Sequence, residues 1–202
     1  MQTESQGYAA LLRSARAGSR PAFDVIQRSL QGRVGSFVRR AIGDDPEAED
    51  LVQEAFLSLW ANLGRIRSEE HLLPYLYRIV RNLCYDRLRQ RQRTRSLFDR
   101  EWEAGTAVGL AQALAGPAAD EVVHWKLLGR RIEQAMDKLP ACHREALHLR
   151  FREGFSYEQL AEATGVDLGT VKSRLHHARR LLAALLPSEV RRALGFTQGA
   201  KP

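Results

Sequence analysis

The stretch that decides the fold is 156–180, SYEQLAEATGVDLGTVKSRLHHARR. It reads as a short helix, a turn at Gly165 and a longer helix that continues to about residue 186. Ser156 predicts the start of the first helix, because Gln159 stands where it completes a capping box. Two helices joined by a tight turn, the second with a basic outer face, are the pattern of a helix-turn-helix.

The outer face of the second helix carries the candidate DNA contacts. When Leu175 is placed at the centre of the apolar stripe, hydroxyl, imidazole and basic side chains fall opposite or beside it. In a helix-turn-helix the beginning of the second helix enters the major groove, where short side chains fit and donor-rich ones reach base edges. A solvated basic face on an ordinary bundle helix is the alternative. The predicted contacts are Thr170, Ser173, Arg174 and His177, with Lys172 on the flank.

Composition favours a polyanion as partner. The 202 residues carry a net charge of +7, for which the alternatives are nucleic acid, an anionic membrane surface or no polyanion partner at all. No apolar run approaches ~18 residues, and the N-terminus lacks a basic segment followed by an apolar one, so neither membrane insertion nor a signal peptide is expected. We expect a cytoplasmic protein in which Cys84 and Cys142 are reduced. Because adjacent side chains on a helix diverge, His176 and His177 predict no metal site, and no cofactor is expected.

Helical periodicity dominates the chain, and runs with two-residue alternation are missing. The predicted fold class is all-α, with two small helical domains joined by a flexible linker. The predicted helices are 8–17, 21–41, 46–63, 74–95, 119–138, 140–152, 157–164 and 168–186. The predicted division is a first domain over 1–95, an Ala- and Gly-rich linker over 96–118, a second domain over 119–186 and a tail over 187–202.

The predicted helix 46–63 has an acidic side with one apolar residue in it. Opposite its broad apolar face, Asp50, Gln53, Glu54 and Leu57 follow the helical spacing i, i+3, i+4, i+7. An apolar side chain in an exposed acidic face indicates a docking surface, and a solvated face with one stray leucine is the alternative. No histidine, lysine or glycine-rich phosphate loop is placed to complete a catalytic site with these carboxylates, so an enzyme is not expected.

The predicted helix 74–95, PYLYRIVRNLCYDRLRQRQRTR, combines seven arginines with three tyrosines. Arginine and aromatic side chains together suit phosphate contacts and stacking on unpaired bases. The stacking candidates are Tyr75, Tyr77 and Tyr85, and Cys84 is expected to pack beside the apolar stripe. A basic helix lying against an acidic protein or a membrane surface is the alternative.

Three motifs in this order resemble the extracytoplasmic-function (ECF) sigma factors, the minimal members of the bacterial sigma-70 family. AEDLVQEAFLSLW (48–60) resembles the region 2 segment that docks on core RNA polymerase. PYLYRIVRNLCYDRLR (74–89) resembles the segment that opens and reads the minus-10 promoter element, although Tyr75 stands where the family usually has tryptophan. LPACHREALHLRFREGFSYEQLAEATGVDLGTVKSRLHHAR (139–179) resembles region 4, which reads the minus-35 element.

The resemblance implies roles for particular residues. The implied polymerase contacts are Asp50, Gln53, Glu54 and Leu57. The implied minus-10 contacts are Tyr75, Arg78, Arg81, Asn82 and Arg87, with the segment 64–73 bordering a pocket for an extruded base. The implied minus-35 contacts are Thr170, Lys172, Ser173, Arg174 and His177.

The function implied is that of a sigma factor, which binds core RNA polymerase, recognises both promoter elements and promotes DNA opening for transcription initiation. The implied partners are core RNA polymerase, promoter DNA and an anti-sigma factor. A stand-alone helix-turn-helix regulator is the alternative for region 4, but such a regulator does not need residues 46–95. A protein that sequesters part of the polymerase without reading DNA is a third possibility, against which the basic face of 168–180 argues.

Overall fold

The computed structural model describes residues 2–43, 45–98 and 120–193, with side chains over 8–43, 45–92 and 128–192. Within these ranges the chain is helical and has no strand, which confirms the all-α prediction. The predicted linker 96–118 and tail 187–202 lie largely outside the described residues. The helices are α1 (Gln2–Arg16), α2 (Arg20–Ile42), α3 (Ala48–Ala61), α4 (Leu72–Phe98), α5 (Asp120–Asp137), α6 (Ala141–Leu147), α7 (Tyr157–Thr164), α8 (Leu168–Leu185) and α9 (Ser188–Ala193).

Caps and prolines set the starts of the helices in the N-terminal half. Ser19 is the N-cap of α2, and its hydroxyl accepts a hydrogen bond from the Ala22 N–H at 3.4 Å. Helix α3 begins two residues after the predicted start, because Pro46 lies in the turn before it. Helix α4 begins two residues before the predicted start, so that Pro74 lies in its first turn, where a missing N–H leaves no bond unmade.

The first compact unit contains residues 2–98 together with Phe155–Leu168, and therefore α1–α4 and α7. Its core includes the Phe23 ring, which meets the Trp60 ring edge-on at 4.9 Å and the Phe56 ring at 6.5 Å. Full burial of one such side chain stabilises the fold by about 1.5–3 kcal/mol. The apolar sides of α2, α3 and α4 thus face each other, which leaves their polar sides for other contacts.

The second compact unit contains residues 120–154 and 169–193. Helix α6 continues into a π-helical turn at His148–Arg152, and Gly154 follows with a φ of +73°. Helix α8 buries an apolar stripe of Val171, Leu175, Ala178 and Leu182, as its periodicity predicts. Residues 155–168 fall in the first unit although the predicted second domain includes them, so the predicted domain division stays a prediction.

Beyond Pro187 the chain forms a further helix, α9, in part of the predicted tail. Val190 on this short helix is buried, which explains why the segment is helical. None of the described helices is both long enough and apolar enough to cross a membrane.

Candidate functional site

The acidic side of α3 is fully presented to solvent. The four predicted docking residues, Asp50, Gln53, Glu54 and Leu57, are all exposed. Leu57 is 62% exposed, which is unusual for a leucine in the middle of a helix whose other side is buried. The helical spacing of the residues accounts for this exposure. The opposite face is held in the core by a buried apolar stripe, made up of Leu51, Ala55, Phe56 and Leu59.

A buried carboxylate links the turn before α3 to α4. The side chain of Asp45 is 1% exposed and contacts the guanidinium groups of Arg91 and Arg87, the latter with Nε 3.6 Å from Oδ2. Arg87 also forms an ion pair with Glu47, and Arg91 donates to the Ile42 carbonyl oxygen at 3.1 Å. Two arginines of the basic helix are therefore bound within the protein.

The environment of Asp45 favours its ionised form. The Glu47 N–H donates to Asp45 Oδ1 at 3.0 Å. This bond, and then the charges of Arg91 and Arg87, hold the pKa of the Asp45 carboxyl below its ordinary value, although burial acts in the opposite direction. The carboxylate is thus ionised at neutral pH.

The basic side of α4 is divided between exposed and partly buried residues. Arg78 and Asn82 are exposed, whereas Tyr75 is half-buried. Arg81 is half-buried, and its guanidinium lies 4.6 Å from the centre of the Tyr85 ring. Arg87 is the fifth predicted minus-10 residue. Its side chain is 20% exposed and forms ion pairs with Asp45 and Glu47.

Tyr77 is a correction to the sequence interpretation, which gave it as a stacking candidate. Its side chain is 1% exposed, and its ring meets the Phe37 ring edge-on at 5.2 Å and the Phe155 ring at 5.4 Å. A ring enclosed in this way cannot stack on a base while the fold is intact. Cys84, by contrast, is buried beside the apolar stripe as expected.

The segment between α3 and α4 consists of two short 3-10 turns, at Leu63–Arg65 and Glu69–His71. Arg16 fixes its beginning, because its Nε donates to the Leu63 carbonyl oxygen at 3.1 Å. Ile66 is buried, so its side chain attaches the segment to the core.

The minus-35 candidates lie on the outer side of α8. Lys172, Ser173 and His177 are exposed, and Thr170 and Arg174 are half-buried. A groove of about 370 Å³ beside His177 is lined by His143, Arg180, Leu181 and Ala184. The sequence analysis did not single out His143, which lies on another helix and is brought to this groove by the fold.

The first helix of the predicted helix-turn-helix, α7, has the predicted capping box. The Ser156 hydroxyl accepts from the Gln159 N–H at 3.1 Å, and the Gln159 side chain accepts from the Ser156 N–H at 2.9 Å. Gly165 ends the helix with a φ of +68°, a conformation that favours glycine. The local signals of the quoted stretch are thus correct in detail.

The side chains that the structure describes contain no group of three histidine, cysteine or carboxylate residues close enough to hold a metal ion. The His176 and His177 rings are 5.8 Å apart between centroids and inclined at 77°.

Comparisons with known proteins identify the family of this chain. A family model described as Sigma-70 region 2 matches residues 26–94, and one described as Sigma-70, region 4 matches residues 129–182. The first match contains α3 and most of α4, and the second contains α6 and α7 and most of α8. The chain belongs to the sigma-70 family of RNA polymerase sigma factors.

Its relatives identify the subfamily. The ECF RNA polymerase sigma factor EcfG of Rhodopseudomonas palustris is 34% identical over 169 residues, which cover 82% of this chain and 87% of the relative. The ECF RNA polymerase sigma factor SigE of Mycolicibacterium smegmatis is 33% identical over 168 residues, covering 80% of this chain but 60% of the relative. Within the sigma-70 family, this protein is therefore a sigma factor of the ECF type.

A solved structure shares the fold. The sigma factor RpoE of Bartonella quintana, in a co-crystal structure with the anti-sigma factor NepR, aligns with a TM-score of 0.61 and 29% identity. The alignment covers 81% of this chain and 95% of that protein.

Proposed function

We propose that this sigma factor binds core RNA polymerase through the acidic side of α3 and reads promoter DNA through α4 and α8. The polymerase supplies the chemistry of RNA synthesis, and this chain supplies recognition and strand opening in the cytoplasm. The observation that carries the proposal is the exposure of Leu57 among three polar residues on a helix whose other side is buried. An exposed apolar residue surrounded by polar and charged residues is typical of a protein-docking surface.

Opening of the minus-10 element is assigned to α4 and the segment 64–73. Exposed Arg78 and Asn82 are the best placed of the predicted contacts, and half-buried Tyr75 lies on the same helix. Extruding a base costs a few kcal/mol of unstacking, which contacts to the flipped base and the backbone offset. Arg81 and Arg87 are proposed contacts whose side chains are partly engaged within the protein.

Reading of the minus-35 element is assigned to the outer side of α8. Arg174 suits a bidentate contact to guanine, whereas Ser173 and Thr170 are short enough to allow close approach of the helix to the groove floor. Lys172 and His177 would contact base edges or phosphates beside them. The proposed order of events is that polymerase is bound first and both elements are then read by one holoenzyme.

An anti-sigma factor is proposed as a further partner. The support is the resemblance to the Bartonella quintana protein, which was solved with such an inhibitor. An inhibitor of this kind would have to cover one of the three exposed surfaces described above.

Run-off transcription tests the proposal. Purified protein is mixed with core polymerase of the same organism on a genomic DNA library, and the transcript starts are sequenced. We expect a shared pair of elements upstream of the starts, absent when the protein is omitted. Failure to initiate on any template, together with tight operator binding by the protein alone, would favour a stand-alone helix-turn-helix regulator instead.

A further inference from the structure

The groove beside His177 lies on the side of α8 that is proposed to read the minus-35 element. Four of its lining residues belong to α8 and share one side of that helix at the spacing i, i+3, i+4, i+7: His177, Arg180, Leu181 and Ala184. Thr170 and Ser173 precede them on the same side. The groove therefore continues the proposed DNA-reading side by two turns towards the end of α8.

The other wall of the groove is His143 on α6. Its ring lies 6.5 Å from the His177 ring between centroids and is inclined to it at 81°. The Nδ1 atom of His143 lies 3.5 Å from the Cys142 sulfur, which leaves Nε2 as the ring nitrogen for a bound molecule. Because His143 is half-buried, the fold fixes its position beside α8.

The groove combines polar edges with an apolar surface. Arg180 is exposed, carries a permanent positive charge and has no ion-pair partner among the side chains that the structure describes. The two imidazoles add hydrogen-bonding nitrogens, whereas Leu181, which is 41% exposed, adds apolar surface. The five lining residues include no carboxylate. This lining suits an anion carried on a less polar body, and a volume of about 370 Å³ has room for one sugar–phosphate unit.

The position of the groove along α8 also favours the DNA backbone. A rise of 1.5 Å per residue places Arg180 about 15 Å along the helix axis from Thr170, whereas the major groove is about 12 Å wide. The beginning of the second helix of a helix-turn-helix enters the major groove. When Thr170 reaches the base edges, Arg180 therefore lies at the rim, where the backbone runs.

We propose that this groove binds one sugar–phosphate unit of the DNA backbone beside the minus-35 element. Arg180 and His143 contact the phosphate, and Leu181 packs on the sugar. The inference rests on the proposed function of α8 and adds two backbone contacts to it. Such contacts carry no base sequence, but they fix the register in which Thr170 and Arg174 meet the bases.

Holoenzyme binding to promoter DNA tests the proposal. The probe is a promoter recovered by run-off transcription, together with copies that carry single base changes in the minus-35 element. Arg180→Ala and His143→Ala are each expected to weaken binding about three- to tenfold, by the same factor on every copy. Arg180→Ala should also lower the slope of log K against log salt by about 1, because one phosphate contact is lost.

Two neighbouring side chains provide matched controls. Arg130→Ala removes an exposed arginine of α5, and His176→Ala removes an exposed histidine of α8, and neither residue lines the groove. Each control should change the affinity for DNA by less than about twofold. Circular dichroism and the affinity for core polymerase are measured for every variant, so that a weaker DNA complex reflects the groove rather than the fold.

Neutral methylphosphonates locate the contacted phosphate. One methylphosphonate at a time replaces a phosphate in or beside the minus-35 element. Wild-type holoenzyme is expected to lose affinity at one position where Arg180→Ala loses none, because its contact there is already missing. Equal sensitivity of wild type and Arg180→Ala at every position would overturn the proposal.

The outcomes separate this inference from the proposed function. If the wild type discriminates the minus-35 element but His143→Ala and Arg180→Ala bind like the two controls, the backbone contact is wrong and reading by α8 stands. Losses confined to one base pair would also overturn it, since they would make these residues base contacts. A wild-type holoenzyme without any preference for the element would overturn both the proposed function of α8 and this inference.

Discussion

Helices α3 and α4 are both amphipathic, but they use their charged sides differently. On α3 all four predicted contacts are exposed, and the two carboxylates among them point to solvent. On α4 the arginines fall into two groups, since Arg78 and Arg89 are exposed to solvent whereas Arg87 and Arg91 contact Asp45 within the protein. A run of like charge in the sequence therefore overstates the charge that is available to a partner.

The difference follows from where a neutralising group lies. The Asp45 carboxylate reaches α4 from a turn about forty residues earlier in the chain, at a separation of 46 residues from Arg91. No comparable cation reaches the α3 face in the contacts described here. Helical periodicity fixes which side of a helix is polar, whereas tertiary contacts decide which polar groups are already bound.

Removal of the carboxylate that ties α3 to α4 is expected to have the largest effect. Asp45→Ala would remove the buried carboxylate that Arg87 and Arg91 share and the hydrogen bond that it accepts from the Glu47 N–H, although Arg87 keeps Glu47 and Arg91 keeps the Ile42 carbonyl oxygen. We expect a clear fall in Tm by circular dichroism. Asp24→Ala, which removes an exposed ion pair with Arg20, is the control and should leave Tm nearly unchanged.

The same carboxylate predicts a dependence of stability on acid. Because the pKa of Asp45 is lower in the folded protein, its contribution is fully present above its ordinary value of 3.8 and is lost as the pH falls through the folded value. The free energy of unfolding of Asp45→Asn should therefore decrease less steeply than that of the wild type as the pH falls below about 4. An acid unfolding curve that keeps its shape in Asp45→Asn would contradict the assignment.

Leu57→Asp tests the other side of the comparison. Replacing the apolar centre of the docking face by a charge is expected to weaken binding to core polymerase by about 2 kcal/mol or more, roughly thirtyfold. Val25→Asp, at an apolar residue on α2 that is 41% exposed, is the control. Equal pull-down of core polymerase by wild type and Leu57→Asp would remove the docking proposal.

Arg174→Ala should cost on the order of 1–3 kcal/mol in holoenzyme binding to the preferred minus-35 sequence. The reason is loss of a contact to a base edge, so discrimination at one position should relax. Binding is measured on matched promoters that differ at single positions of the element. A uniform loss on all sequences would make Arg174 a phosphate contact.

Arg89→Ala is expected to have the smallest effect, and it separates exposed arginines from bound ones. Its pair with Asp86 is 71% exposed on both sides, so stability should change by less than about 0.5 kcal/mol. If Arg89 contacts a phosphate, the slope of log K against log salt should fall by about 1. A loss of stability well above about 0.5 kcal/mol in Arg89→Ala would show that this arginine is structural.

The sequence was sufficient where a signal is local. The capping box of Ser156 and Gln159, the turn at Gly165 and the exposure of Leu57 all follow from spacing along one helix. The same holds for the burial of Cys84 beside an apolar stripe.

The sequence was insufficient where distant segments meet. Tyr77 was a stacking candidate by its neighbours in the chain, but Phe37 and Phe155 enclose it, and neither is close to it in sequence. Arg87 remains a predicted DNA contact, although its pairing with Glu47 could not be read from a helical wheel. The placement of α7 on α4 is likewise a property of tertiary packing.

Site-specific photo-cross-linking tests the central claim most directly. A photoreactive amino acid is placed at position 57 on α3 or at position 78 on α4, and the complete complex of this chain, core polymerase and promoter DNA is irradiated. The account predicts that position 57 cross-links to a polymerase subunit and position 78 to DNA near the minus-10 element. Cross-linking of position 57 to DNA, or of position 78 to polymerase protein without DNA, would contradict it.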